Sequence, residues 1–139
     1  MPTSDKNLAL VRALYQAFER RDVPTMLSLL SPTIEWGEPP NPYNPAGGTR
    51  HGHDGFLEWV KIGNEAEEVL VLEPREFLSN ADAVAVVGFT KCRVRRTGAE
   101  YETEFVHIVN IKDGKVQRFR EFFDTYAAGE AFRVDPGDA

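Results

Sequence analysis

The sequence of 139 residues has one cysteine, Cys92, so a single chain can form neither an internal disulfide nor a cysteine-based zinc site. It has no run near the roughly 20 apolar residues that a membrane-spanning helix needs. The opening segment, Met1 to Lys6, lacks the apolar stretch of a signal peptide. These absences lead us to expect a cytoplasmic protein with no membrane partner. Basic residues are in the minority, 16 Lys and Arg against 22 Asp and Glu, for a net charge of −6. That balance argues against a nucleic-acid partner, because phosphate contacts need a basic stripe. Gly47-Gly48 is too short to be a glycine-rich phosphate loop, and there is no internal repeat or low-complexity tract.

What is present is an ordinary globular composition, 42% hydrophobic and 27% charged, with nine Phe, four Tyr and two Trp. A chain of this length buries roughly 68–70% of its unfolded surface as one domain, and we read 1–139 as one. Its ordered part is expected over about 4–130, with a loose acidic tail from Asp135 to Ala139. Leu8, Val11, Tyr15 and Phe18 recur at helical spacing, with Ser4 or Asp5 as candidate caps. Asp22 is placed to cap a second helix that has Pro24 in its first turn and stops near Leu30 before Ser31-Pro32. Thr33 to Glu38 reads as a strand with Ile34, Trp36 and Glu38 on one face, and 39–50 as a proline-rich loop. A third helix carries Phe56, Trp59 and Val60 and ends at Gly63. Strands are expected over 68–78, 82–95, 99–112 and 115–124. Helices first and antiparallel strands later give an α+β domain with helices on one face of a curved sheet.

Charges and turns orient those strands. A two-residue Thr97-Gly98 loop would pair Arg95 with Glu100, Arg93 with Glu102 and Lys91 with Glu104, an opposite-charge ladder on a solvated face. The other face then carries Gly88, Thr90, Cys92 and Val94 against Tyr101, Thr103, Phe105 and His107, with Gly88 opposite His107. At Lys112-Asp113-Gly114-Lys115 two registers compete. A two-residue loop pairs His107 with Arg120, and a three-residue turn with a glycine bulge pairs it with Phe119. Burial favours the second, which sets Phe105, His107 and Val109 on one face with Phe119, Glu121 and Phe123. Carboxylates in an apolar concavity should titrate high, as general acids and bases do.

Three segments, LVRALYQAFERRDVPTMLSLLSPTIEWGEP, RHGHDGFLEWV and VHIVNIKDGKVQRFREFFDT, carry a resemblance to the nuclear transport factor 2-like superfamily. Its ketosteroid-isomerase-like and SnoaL-like branches are the most similar. The resemblance implies a cone of curved antiparallel sheet, wrapped by N-terminal helices around a deep apolar pocket and paired through the sheet as a homodimer. It puts Glu38 where ketosteroid isomerases keep an Asp general base, and His107 at or near their protonated oxyanion-hole Asp. Their oxyanion Tyr corresponds to Leu14, with Tyr15 beside it expected to face elsewhere. Limonene-epoxide-hydrolase-like members keep their functional set at positions that read Thr90, Gly88, Glu121, Trp36 and Glu38 here, and only Glu121 retains the charge type.

The candidate catalytic residues are therefore Glu38, His107 and Glu121, with Leu14, Phe18, Trp36, Trp59, Thr90, Phe105, Phe119 and Phe123 as pocket walls. Glu38 could instead be a rim carboxylate, His107 a satisfied core histidine, and Glu121 a structural partner of His107 or of a helix end. His51 and His53 lack a third metal ligand identifiable by spacing, so they read as loop residues at the pocket mouth or as helix-start caps. The expected function is an isomerase, cyclase or dehydratase that needs no metal or organic cofactor and acts on an apolar carbonyl-bearing molecule. The alternative is a ligand-binding or dimerisation module of the same fold.

Overall fold

The computed structural model of the chain describes residues 2–133, so the expected loose tail lies outside the described residues. Helices α1 (Thr3–Glu19) and α2 (Val23–Leu29) lead into strands β1 (Leu30–Glu38) and β2 (Gly48–His51). Helix α3 (Gly52–Ala66) follows, then β3 (Glu67–Ser79), β4 (Ala83–Val94), β5 (Glu100–Lys112), β6 (Lys115–Phe123) and α4 (Thr125–Arg133). The six strands form one curved, open sheet in the order β2-β1-β6-β5-β4-β3. Asp22 caps α2 as expected, accepting from the Thr25 amide at 3.2 Å. Helix α1 instead starts at Thr3 with Pro2 at the cap position, so neither Ser4 nor Asp5 caps it.

Several expectations need correcting. The sheet is mixed, because β1 runs parallel to β6 while every other pairing is antiparallel. The chain covers the intervening distance with four strands and α3, so β1 meets β6 at its far edge rather than through a hairpin. Helix α3 continues through Gly63 to Ala66, and β2 emerges from the end of the proline-rich loop. Helix α4 was not anticipated: it occupies 125–133, between the last expected strand (115–124) and the tail expected from Asp135.

Both hairpin registers also differ by two residues from expectation. In β4–β5, Arg93 faces Glu100, Lys91 faces Glu102 and Gly88 faces Phe105. Arg95 leaves the ladder to donate to the Asn64 carbonyl at the end of α3, 2.8 Å away. Thr97 donates to the Ala131 carbonyl of α4 at 2.9 Å, and Arg96 bonds the neighbouring Phe132 carbonyl. The turn is thus recruited to satisfy carbonyls at two helix ends, which otherwise lack partners. In β5–β6 the turn is the two-residue Asp113-Gly114 loop, both residues at positive φ (52° and 73°). A bulge then follows on β6, so His107 faces Glu121. The extra residue, Gln117, turns its amide to the Thr33 carbonyl and hydroxyl of β1 at 3.1 Å. A shift of two conserves side-chain parity, so the charged face stays outward and the His107 face inward.

The core lies between the inner sheet face and α1–α3, around Trp36, Phe56, Phe105, Ile34 and Val11. Gly88 is required there. A Cβ on it would lie 2.4 Å from the Glu73 carbonyl and 2.4 Å from the Phe105 ring. Gly88→Ala is therefore expected to cost about 1–3 kcal/mol by overpacking. Urea denaturation of the two proteins checks this; an unchanged midpoint would contradict the packing of Phe105 across β4.

Candidate functional site

The inner sheet face, α1 and α3 enclose a chamber of about 150 Å³, which meets an outer vestibule of about 630 Å³. Tyr15, Phe18, Trp59, Glu67, Val69 and Leu72 belong to the walls of both and form the neck between them. Of the sequence-predicted wall residues, Leu14, Phe18, Trp36, Trp59, Thr90, Phe119 and Phe123 line the chamber. Phe105 does not. Opposite Gly88 it lies flat against β4 and stacks on the His107 ring (centroids 4.1 Å apart), so it backs the histidine instead of facing the cavity.

Glu38, His107 and Glu121 all line the chamber. Glu38 ends β1, and its Oε2 accepts from the Trp59 indole of α3 at 2.9 Å. Its Oε1 is 3.5 Å from the amide of buried Asn44, in the proline-rich loop. It is 7% exposed, a floor residue and not a rim carboxylate. The cross-strand pairing brings His107 Nε2 to within 2.7 Å of Glu121 Oε2. On its other side, His107 Nδ1 lies 2.6 Å from the Tyr15 hydroxyl. Burial, then the Glu121 carboxylate, push the Tyr15 phenol well above its ordinary value, so it keeps its proton and donates to Nδ1. With Nδ1 accepting from Tyr15, the His107 Nε2–H donates to Glu121.

Tyr15 is the main correction to the expected site. It was expected to face away, with Leu14 at the oxyanion position, yet it reaches the centre of the chamber. Its place on the helical stripe with Val11 and Phe18 was the available signal. Glu67 and Tyr101 were given no role either. Tyr101 donates to Glu67 Oε2 at 2.6 Å, and both line the chamber. Nothing in the pattern around Glu67 announces this; α3 and the β4–β5 turn deliver it there. Elsewhere, His51 sits at the start of α3 without a side-chain capping bond. His53 Nε2 lies 3.1 Å from the Leu30 carbonyl. Among the described residues no three His, Cys, Asp or Glu side chains are placed to hold a metal, and no helix is long and apolar enough to cross a membrane.

Comparison with known proteins places this arrangement. Residues 11–119 match the family described as the SnoaL-like domain. The chain belongs to that family. An NTF2-like protein of Burkholderia xenovorans LB400 is 30% identical to this SnoaL-like domain, with a TM-score of 0.86 over 94% of this chain and 98% of that one. TerC, crystallised with polyporic acid, is 32% identical with a TM-score of 0.77, over 93% of this chain and 99% of its own. An uncharacterized protein of Mycobacterium tuberculosis is 26% identical over 131 residues, 94% of this chain and 98% of its own.

The chamber of this SnoaL-like domain concentrates three carboxyl groups, Glu38, Glu67 and Glu121. Burial, then the Glu121 carboxylate, push the Glu38 carboxyl up to about 8; Glu67 adds to the rise, and the Trp59 and Asn44 donors oppose it. Burial also pushes Glu67 up to about 6 against the lowering effect of the Tyr101 hydroxyl. Unfolding frees Glu38 to ionise near its ordinary 4.5, so between about pH 4.5 and 8 the folded state binds the extra proton. Stability must then fall as pH rises through that window. Thermal melts at pH 5.5 and 8.5 should show a lower midpoint at the higher pH. That gap should narrow in Glu38→Gln; an equal gap in both proteins would contradict the burial argument.

Proposed function

We propose that this SnoaL-like domain is an enzyme that moves protons on an apolar molecule bearing a carbonyl group, in an isomerisation, cyclisation or dehydration. One observation carries the reading: a protonated carboxyl and a Tyr–His–Glu chain line one aromatic chamber. Ligand sites are typically about 300–1,000 Å³. The chamber alone is smaller, so the substrate's polar head would occupy it while the body lies in the vestibule. The co-crystallisation of TerC with polyporic acid supports a small-molecule occupant in a related chain.

In this reading Glu38, protonated at neutral pH, delivers its proton to the carbonyl oxygen as the adjacent C–H bond is broken, and later takes it back. The general-base role implied by resemblance applies to Glu38 only after it has lost that proton. Tyr15, His107 and Glu121 stabilise the charge that develops on oxygen. The Tyr15 hydroxyl swings its hydrogen from His107 Nδ1 to the substrate oxygen with no proton added to the chain, while Glu121 holds the imidazole in place through Nε2. All three side chains sit on rigid elements, so little reorganisation is needed.

The test is deuterium uptake, followed by proton NMR, at carbons next to the carbonyl in a panel of cyclic enones and aryl ketones. Panel members that raise the thermal midpoint should also exchange faster than in buffer alone. Binding without accelerated exchange across the panel would make the cavity a ligand-binding module instead.

A further inference from the structure

We propose that Glu67, held by Tyr101 at the neck of the cavity, is the base that removes the substrate proton while Glu38 protonates the carbonyl oxygen at the chamber floor. The inference rests on the proton-transfer reading above and supplies the partner it lacks. A carboxyl that enters the reaction protonated needs a second group that enters ionised.

Four observations place Glu67 in that role. It is the first residue of β3, directly after α3, and it lines both chamber and vestibule, whereas Glu38 lines the chamber alone. The two carboxyl groups thus stand at different depths along one path. Tyr101 fixes the Glu67 side chain through Oε2 at 2.6 Å, leaving Oε1 without a hydrogen-bond partner among the described residues. Burial and the Glu121 carboxylate raise both carboxyls, but to different extents. Glu38 is pushed up to about 8 and stays protonated at neutral pH, whereas the Tyr101 donor opposes the rise at Glu67, which reaches only about 6 and is ionised there. Pairs of carboxyls whose surroundings separate their titrations mark the acid and the base. Finally, Cys92 is no competing nucleophile, since burial holds its thiol up at about 12. Arg95, a guanidinium of the vestibule wall, is engaged by the Asn64 carbonyl and Glu68.

The geometry also restricts the substrate. With Glu38 at the floor and Glu67 at the neck, the molecule enters carbonyl first, and the acidic C–H lies toward the mouth. Glu67 Oε1 takes the proton, the C–H electron pair forms the new C=C bond, and the carbonyl π pair moves to oxygen, which takes the proton of Glu38. The products are the enol, a protonated Glu67 and an ionised Glu38. Reversal with solvent-exchanged protons gives deuterium uptake at that carbon, and return of the Glu67 proton to a carbon further along the conjugated system gives isomerisation. The class is therefore enolisable ketones and enones, in which one carbonyl activates a C–H several ångströms from its oxygen.

The wild type and three variants test this with the exchange assay at pH 5–9, each checked for folding by its melt. Glu67→Gln keeps the Tyr101 bond and should lower the exchange rate at pH 7 by about 10²-fold or more, with the ketone-induced thermal shift unchanged. It should also abolish the acidic limb of the rate profile. Tyr101→Phe removes the donor that favours ionised Glu67, so its acidic limb should persist but move to higher pH. A merely structural Glu67 would leave the limb in place in every variant. Wild-type exchange in Glu67→Gln, or an acidic limb that survives that substitution, overturns the assignment. If Glu38→Gln is slow while Glu67→Gln is not, only Glu67 is refuted; absence of exchange in the wild type refutes both readings.

Discussion

Glu38→Gln is expected to slow the carbonyl-adjacent exchange reaction by about 10²–10⁴-fold, the usual worth of a positioned acid or base. Glutamine keeps the shape of the side chain and an oxygen for the Trp59 indole, which donates at 2.9 Å, so the chamber should survive. What it cannot do is give up a proton to a carbonyl oxygen. The pH profile provides a second, independent sign. In the wild type, activity that requires protonated Glu38 declines as pH passes about 8, and this alkaline limb should vanish in the variant. Alkaline stability should rise in the same protein, because a charge that burial opposes has been removed. Kinetics with folded Glu38→Gln at full rate would remove Glu38 from the mechanism.

Trp36→Ala carries the largest expected effect on stability. Trp36 is 2% exposed on β1, and its ring stacks on Phe119 with centroids 3.9 Å apart and planes 5° from parallel. Phe56 and Trp59 pack against it at 4.8 and 5.0 Å. Truncation deletes the shared member of an aromatic cluster joining β1, β6 and α3, and rigid neighbours cannot refill the space. A loss of about 3–5 kcal/mol follows from the range for buried aromatic truncations, a large part of the roughly 5–15 kcal/mol that holds a domain together. Urea unfolding measures it directly. A loss below about 1 kcal/mol would mean that the aromatic cluster is not the structural centre. Because Trp59 orients Glu38, ketone-dependent exchange should fall as well, even where the variant remains folded.

Much of this architecture was legible from local pattern. The apolar face of α1 was legible, its buried side chains being Val11, Leu14 and Ala17 with Tyr15 and Phe18 half-buried beside them, and Asp22 with Pro24 marked the start of α2. Alternation along β5 and β6 placed His107, Phe119 and Glu121 on one face, which is where they lie. The period-2 rule protected that result even though both hairpin registers slipped by two. Trp36 and Glu38, alternating on β1, point into the same space. Helix α4 was missed although Asp124 caps it, accepting from the Ala127 amide at 3.0 Å; its short run follows directly on a strand, and its carbonyls at Ala131 and Phe132 are satisfied from the distant β4–β5 turn.

The sequence by itself determined most of the elements, though not β2 or α4, and the inward or outward sense of most side chains, since these depend on spacings of two and of three to four residues. Tertiary structure decided which inward groups meet. Tyr15 and His107 are 92 positions apart, and their contact depends on how α1 crosses the sheet. Glu67 becomes a cavity residue because α3 ends where the β4–β5 turn binds it, and Tyr101 holds its carboxyl from another strand. The protonated state of Glu38 likewise arises from burial and from Glu121, which lies on β6, not β1. Such properties are sums over groups that the fold brings together, so no local window of the chain contains them.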